Sequence, residues 1–316
     1  MKKNSLKDNF QDAWCILKNT FIEFDNDRGF KLSASLSYYT IFSLAPLLLL
    51  LISLAGFFFG REAIQGQIFN EVNGLIGNQA AAQLQEIIKN MELSGQTKSA
   101  ILIGAITLLI GATSVFVEIQ DSINMIWKVK AKPKRGWVKI LKDRLLSSSL
   151  IVGLSFLLIV SFMVDGVLLA LNDWLKSYFP DVTVVLFQII SGLLSFAVMA
   201  VLFAVIFKVL PDAKVHWKDV RKGAVFTTCL FMLGRFLIGF YIEKSNAGSA
   251  YGAAGSLIII LVWVYYTAAI LYAGAEFTRV YSDFNGTKIE PADYAVYVEE
   301  HEKEKVVEFI PPREIE

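Results

Sequence analysis

A single arginine, Arg235, lies within an otherwise uncharged stretch of 19 residues, Gly223 to Tyr241. A helix of that length rises about 28 Å, close to the thickness of the hydrocarbon core of a bilayer. Placing an arginine at the centre of such a helix costs about 2.5 to 3.5 kcal/mol. The chemistry open to this residue is the binding of an anion. Three explanations remain: snorkelling to the headgroups, an ion pair between helices, or a polar cavity for an anionic ligand.

Other polar side chains in apolar stretches are candidate partners for Arg235. Asp165 lies towards the end of another apolar segment, at a depth that predicts an ion pair with Arg235. Hydroxyl groups in hydrocarbon prefer partners on neighbouring helices, so they serve either helix packing or a cavity wall. We expect a substrate site lined by Arg235, Asp165, Ser35, Tyr39, Ser43, Tyr266 and Tyr272. A purely structural ion pair between Arg235 and Asp165 remains the alternative.

The sequence lacks the residues that most hydrolytic and metal-dependent reactions need. Its two histidines, His216 and His301, have no ligand-spaced partners, and its two cysteines, Cys15 and Cys229, are far apart. There is no glycine-rich phosphate loop, and no Ser/His/Asp set that one site would collect. We therefore expect no metal, no cofactor and no enzymatic activity.

The composition is that of an all-α polytopic membrane protein. Of the 316 residues, 55% are hydrophobic, and the apolar residues form repeated uncharged runs long enough to cross a bilayer. We predict an amphipathic arm (1–31), a six-helix transmembrane domain (32–281) and an acidic cytoplasmic tail (282–316). The six predicted spans are 32–60, 99–117, 145–171, 182–207, 223–241 and 251–277.

Interfacial amphipathic helices should accompany the spans. The apolar stripe of the arm consists of Leu6, Phe10, Trp14, Leu17, Phe21 and Phe24, spaced by three and four residues. This helix either lies on the membrane surface or packs on the bundle. A second interfacial turn is predicted at Ile119, Ile123, Ile126 and Trp127. The tail is expected to be flexible over its last part.

The distribution of Lys and Arg predicts the orientation. The arm (1–31) carries six, and the connectors 118–144 and 208–222 carry eight and five. The C-terminal segment 278–316 carries five, whereas the connectors 61–98, 172–181 and 242–250 carry three, one and one. Because cytoplasmic loops are enriched in Lys and Arg, both termini should face the cytoplasm.

The basic run after the second span could dock membrane lipids. Lys130, Lys132, Lys134 and Arg135 would contact anionic phospholipid headgroups, at about 1 kcal/mol for each cation near the surface. The alternative is that these residues only set the topology. Nucleic-acid binding is not expected, because no aromatic-studded groove or recognition motif accompanies the charge.

Three stretches resemble the YihY/virulence factor BrkB family of bacterial inner-membrane proteins. They are ASLSYYTIFSLAPLLLL in the first span, LPDAKVHWKDVRKGA before the fifth and YGAAGSLIIILVWVYYTAAILYAGAEFT in the sixth. The resemblance covers about residues 20 to 282 and implies six transmembrane helices in the bacterial cytoplasmic membrane. It also brings the label ribonuclease BN, which the missing metal ligands argue against.

These observations predict a transporter or flippase-like permease for an amphiphilic or anionic, lipid-like substrate. With no ATP-binding motif, transport would be passive, ion-coupled or driven by a partner. The alternative function is a non-transporting membrane scaffold or envelope assembly factor that docks partners through the arm and the tail. Small-residue faces on the second, fourth and sixth spans allow contacts within one chain or between two, so an oligomer is compatible with the sequence.

Overall fold

The computed structural model describes residues 6–59, 98–132, 180–244 and 255–299, together with isolated positions between 65 and 86. The described chain is predominantly helical, as predicted. Its helices are α1 (Leu6–Asn26), α2 (Gly29–Phe59), α3 (Lys98–Ile126), α4 (Pro180–Val209), α5 (Trp217–Lys244) and α6 (Gly255–Asn285). Four short strands follow helices: β1 (Val129–Ala131), β2 (Ala213–Lys214), β3 (Glu290–Pro291) and β4 (Ala295–Tyr297).

The long helices form because apolar residues run through them almost without interruption, as expected in a membrane. Within the described residues, the segments Gly192–Val209 of α4 and Leu257–Asn285 of α6 are long and apolar enough to cross a bilayer. Large apolar side chains also cover the outer surface, such as Phe236 on α5, which is 75% exposed. The third predicted span, 145–171, lies outside the described residues, and the count of six spans remains a prediction.

The last helix, α6, occupies the centre of the described bundle. It packs against α1, α2, α3 and α5, while α2 also packs on α3, and α4 packs on α5. The helix pairs α2–α3 and α4–α5 therefore lie on different sides of α6. This arrangement decides which of the predicted site residues can meet.

Close packing of α5 on α6 depends on small residues placed reciprocally on the two helices. A Cβ atom at Gly223 would lie 1.9 Å from the Oγ1 atom of Thr278, and one at Gly274 would lie 1.9 Å from that of Thr227. Each threonine hydroxyl donates to a carbonyl of its own helix: Thr227 to Gly223 and Thr278 to Gly274, both at 2.7 Å. The hydroxyls are thus satisfied where the backbones come closest. Glycine at these positions lets helices approach in an apolar medium.

One end of the bundle is closed by hydrogen-bonded loops, and we call it the capped end: the ends of α3 and α4, the start of α5 and the end of α6. Strand β1 pairs antiparallel with β4, and β2 with β3. The sequence did not predict these strands. Residues 286–299 therefore return to the bundle, and α6 runs to Asn285, beyond the predicted span end.

The predicted interfacial turn after the second span is wrong, because these residues belong to α3 and its end and are core residues. Ile123, Ile126 and Trp127 are buried, and the indole Nε1 atom of Trp127 donates to the carbonyl of Ala275 at 3.0 Å. Instead of lying at the membrane surface, these residues pack inside the protein with Phe207, Leu210 and Val220 from α4, the connector and α5.

We predict that Gly274→Ala and Gly223→Ala each destabilise the protein by about 1 to 3 kcal/mol, the usual penalty for overpacking a tight contact. The matched control is Gly192→Ala on α4, where nothing lies within 4 Å of the added Cβ. Thermal unfolding in detergent checks this, and the control should unfold at or slightly above the wild-type temperature. Adding Thr227→Ala to Gly274→Ala should restore part of the loss, since the clashing Oγ1 atom is removed. Equal tolerance of all three glycine substitutions would contradict the close approach.

Candidate functional site

Arg235 lies on an exposed face of α5. Its chain neighbours Phe236 and Leu237 are exposed as well, and so is Leu233. The guanidinium therefore belongs to an apolar outer surface of the described bundle. Asp165 lies outside the described residues, so its ion pair with Arg235 remains a prediction.

The three hydroxyl residues predicted on α2 do not share one environment. Ser43 is buried, Ser35 is half-buried and Tyr39 is 44% exposed. Three further hydroxyl residues on an adjacent side of α2, Ser33, Ser37 and Thr40, are buried together with Ser43. The sequence identified the polar half of this helix but not which side of it faces inward.

One of the buried hydroxyls of α2 links this helix to α6. The Oγ atom of Ser37 donates to the main-chain carbonyl of Leu261 at 3.2 Å, which links the two helices directly. The Oγ atom of Ser33 donates to the carbonyl of Gly29 in its own helix at 2.7 Å. Apolar side chains of α2 and α6 pack nearby, around the buried Ile260.

The two predicted tyrosines of α6 have different neighbours. Tyr266 is half-buried and lies over Gly234 of α5, where an added Cβ would be 2.3 Å from the phenol oxygen. Tyr272 is completely buried, and its hydroxyl has no hydrogen bond within the part of the chain that the structure describes. Its surroundings include Ser122 and Glu118 of α3. The predicted residues are thus distributed over both sides of α6.

The densest group of charges in the described chain is one that sequence reasoning missed, and we call it the Arg279 cluster: Glu23, Asp27, Lys128, Glu276 and Arg279. The NH1 atom of Arg279 donates to the Oδ2 atom of Asp27 at 2.9 Å and also to the carbonyl of Ile126. Its NH2 atom donates to Glu23. The guanidinium therefore joins α1, the turn after it, the end of α3 and α6.

Lys128 completes the cluster from the end of α3, where its Nζ atom pairs with the Oδ1 atom of Asp27. Both oxygens of Asp27 thus accept from cations. Two left-handed residues shape these turns: Arg28 with φ of 57° and Lys128 with φ of 54°. Non-glycine residues adopt this conformation only where the surroundings hold them in it. The ion pairs of Asp27 supply part of that constraint.

Glu276 is the least satisfied member of the Arg279 cluster. The side chain is 0% exposed, and neither carboxylate oxygen has a hydrogen bond among the described residues. Its Oε2 atom lies 3.3 Å from the NH2 atom of Arg279, close enough for an ion pair.

A second polar group at the capped end holds the connector between α4 and α5. Asp212 accepts from the Nδ2 atom of Asn124 at 2.9 Å and from the Tyr294 hydroxyl at 2.8 Å. The main-chain nitrogen of Asp212 in turn donates to the Oδ1 atom of Asn124 at 2.8 Å. Asp219, in the first turn of α5, accepts from the hydroxyl of Thr287 at 2.8 Å. All these acceptors are matched with donors, which is typical of a structural network.

The predicted headgroup contacts are only partly described. Lys130 and Lys132 are exposed beside the β1–β4 pair. Lys134 and Arg135 lie outside the described residues. Among the described residues, no group of three or more His, Cys, Asp or Glu side chains is arranged to hold a metal ion. Cys15 and Cys229 are both free and exposed.

We predict that Arg279→Ala destabilises the protein by about 3 to 5 kcal/mol, because it removes one of the two cations of the buried Asp27 and the cation beside the buried Glu276. Arg279→Lys should recover only part of this, since an ammonium group cannot reproduce the fork that reaches Asp27, Glu23 and Ile126 together. Arg221→Ala, an exposed arginine on α5, is the matched control. The amount of monodisperse protein after detergent extraction gives the comparison. Equal recovery of the Arg279 and Arg221 variants would show that Arg279 does not hold α1, α3 and α6 together.

Comparison with known proteins gives relatives that are named only as membrane proteins. A UPF0761 membrane protein of Psychrobacter sp. (strain PRwf-1) is 27% identical over 85% of this chain and 48% of its own length. One from Teredinibacter turnerae is 26% identical, over 84% of this chain and 60% of its own length. One from Pseudomonas aeruginosa (strain UCBPP-PA14) is 25% identical, over 85% of this chain and 63% of its own length.

The chain spans between about half and just under two thirds of the length of these curated relatives. No solved structure matches it. A family profile described as Virulence factor BrkB matches residues 20–295. This segment contains the Arg279 cluster, the Asp212 network and the reciprocal glycines and threonines of α5 and α6. The resemblance found in the sequence is confirmed, and the chain belongs to the Virulence factor BrkB family of membrane proteins.

Proposed function

We propose that the protein is a permease for an anionic amphiphile, such as an anionic phospholipid. The supporting observation is a set of buried polar side chains on three helices that pack against one another. We call this set the polar interior: Ser33, Ser37, Thr40 and Ser43 of α2, Gln120 and Ser122 of α3, and Tyr272 and Glu276 of α6. Burial of so many polar groups in a membrane domain is expensive, and functional use is its usual explanation.

The unpartnered atoms in the polar interior support a path rather than packing alone. A membrane protein that only needs rigidity satisfies its buried polar groups internally, as the Asp212 network does. In the polar interior, the Tyr272 hydroxyl and both Glu276 carboxylate oxygens have no hydrogen bond among the described residues. These atoms are suited to contact water, a proton or a headgroup that passes along α2, α3 and α6.

Arg235 has a different role in this proposal. Its guanidinium is exposed beside Leu233 and Phe236, on a face that would meet lipid. A cation on a lipid-facing surface recruits anionic headgroups. The polar interior lies on the other side of α6, so Arg235 would select the substrate at the surface and not hold it during passage. The apolar tails could remain in the bilayer while the headgroup moves.

We further propose that the chain crosses the bacterial inner membrane six times, with both termini on the cytoplasmic side. The unequal distribution of Lys and Arg among the connectors supports this orientation. In this arrangement the capped end faces the cytoplasm, and the basic strand β1 lies at the inner membrane surface.

The orientation can be tested with single cysteines in a variant in which both native cysteines are replaced by serine. Lys176→Cys, in the predicted connector 172–181, should react with a membrane-impermeant maleimide in intact spheroplasts. Lys214→Cys, which is exposed in β2, should react only after permeabilisation. The reverse pattern, or reaction of both positions in intact spheroplasts, would require a different topology.

Transport is tested in liposomes by dithionite bleaching of a fluorescent lipid, with phosphatidylglycerol as the anionic substrate and phosphatidylcholine as the comparison. The wild-type protein should expose the inner-leaflet label to bleaching. The bleaching rate should be higher for the anionic lipid than for phosphatidylcholine. Arg235→Ala should slow the anionic lipid by at least a factor of about ten, because a charge-assisted hydrogen bond contributes about 1.5 to 3 kcal/mol. Arg235→Lys should keep most of the rate, and Arg221→Ala should keep all of it.

One result would overturn the permease, and a second would overturn only the role given to Arg235. Bleaching equal to that of protein-free liposomes, across several anionic lipids, would favour the non-transporting scaffold or envelope assembly factor. Rates that are the same in wild type and Arg235→Ala would remove the recruiting role of the arginine while leaving transport in place. Protein orientation and amount must be matched between preparations.

A further inference from the structure

We propose that Glu276 is a proton-binding site, which holds one proton on its carboxyl group and releases it during the working cycle. This inference rests on the permease proposed above and names the ion that would be coupled to it. It concerns a site at the end of the polar interior, where α6 meets the turn between α1 and α2.

Complete burial and missing donors are the first observation that supports the site. The Glu276 side chain is 0% exposed, and neither oxygen accepts a hydrogen bond among the described residues. An ionised carboxylate only accepts hydrogen bonds, whereas a protonated one also donates. A fully buried carboxylate whose oxygens accept no hydrogen bond is therefore the less stable form. A proton on Glu276 converts one of the two unmatched acceptors into a donor.

The neighbouring groups supply an acceptor for that donor. The Asp27 carboxyl group lies beside Glu276, because the guanidinium of Arg279 contacts both side chains. Both oxygens of Asp27 already accept from cations, because Lys128 pairs with its Oδ1 atom and Arg279 with its Oδ2 atom. A protonated Glu276 would donate to Asp27 and complete the contacts of both side chains.

The charge count of the Arg279 cluster agrees with one bound proton. Its three carboxylates, from α1, the turn after it and α6, face two cations, Arg279 and Lys128. Other ionisable groups face the cluster from the same elements: Asp283 near Arg279 and Glu23, and, near Tyr272, Glu118 of α3. Ionisation of all three carboxylates would leave the cluster with one excess negative charge. One proton on Glu276 balances the five members of the cluster.

Release of the proton would change the contacts of Arg279. The O–H bond of Glu276 breaks, the proton passes to water, and the carboxylate becomes an anion 3.3 Å from the NH2 atom of Arg279. This anion then competes with Glu23 and Asp27 for the guanidinium. The contact between α1 and α6 weakens, so release of the proton would loosen the packing at the capped end.

The direct test is infrared difference spectroscopy of the purified full-length protein in lipid, with pH as the variable. The wild-type protein should show the carbonyl band of a protonated carboxylic acid at neutral pH, shifted in D2O and lost as the pH rises. Glu276→Gln should lack this band. The control Glu290→Gln removes an exposed carboxylate of β3 and should keep it. A wild-type spectrum without the band, or a band that persists in Glu276→Gln, would overturn the proposal.

The change in unfolding temperature caused by Glu276→Gln should have opposite signs for a protonated and an ionised Glu276. This measurement does not depend on transport. The amide group of Glu276→Gln can donate to Asp27 as a protonated glutamate would, so the unfolding temperature at neutral pH should stay equal or rise. If Glu276 is ionised in the native protein, the same variant removes an ion pair with Arg279, and the unfolding temperature should fall. Failure of Glu276→Gln to fold at neutral pH would therefore also count against the proposal.

The transport assay separates this inference from the function on which it rests. Lipid movement by the wild-type protein should vary with pH, and movement by Glu276→Gln should not. Loss of lipid movement in every preparation, together with an intact infrared band, would reject the permease and keep the proton site. Lipid movement without the infrared band would keep the permease and reject the proton site.

Discussion

The capped end depends on the guanidinium of Arg279. An arginine can be buried only if acceptors surround it, and here the acceptors come from α1, the following turn and the main chain at the end of α3. Each of these elements must be in place before the charge is satisfied. The ion pair of Lys128 with Asp27 and the indole hydrogen bond of Trp127 to α6 lie in the same region. One buried cation therefore fixes the relative positions of three helices that are far apart in the sequence.

The two sides of α6 are built on different physical principles. Towards α5, glycines and self-satisfied threonines bring two backbones close, and this contact leaves no room for a ligand. In lipid there is little hydrophobic drive for helices to associate, so such close packing supplies much of the attraction. Towards α2 and α3, the contact includes hydroxyl, amide and carboxyl groups, some of which lack partners. A rigid contact on one side and a polar one on the other suit a protein in which α2 and α3 move relative to α6.

The sequence predicted the helices well because apolar run length depends on the thickness of a bilayer and not on tertiary contacts. It could not predict the rotation of α2, since hydroxyl residues line two adjacent sides of that helix, and only one side faces α6. Arg279 was missed because it directly follows a predicted span, where an arginine is usually explained as a topology signal. Its partner Asp27 is 252 residues away, and no local pattern reports such a pairing. The strands, two or three residues long, are too short to carry an alternating pattern.

The permease requires that the polar interior between α2, α3 and α6 is accessible to water although its side chains are buried. The most direct measurement is the reaction rate of single cysteines with a small charged thiol reagent, in protein that lacks Cys15 and Cys229. Ser43→Cys lies in the polar interior, and Ala224→Cys is equally buried in the core on α5. We expect Ser43→Cys to react much faster than Ala224→Cys. Equally slow reaction at both positions would show a dry, fully packed interior and contradict the account.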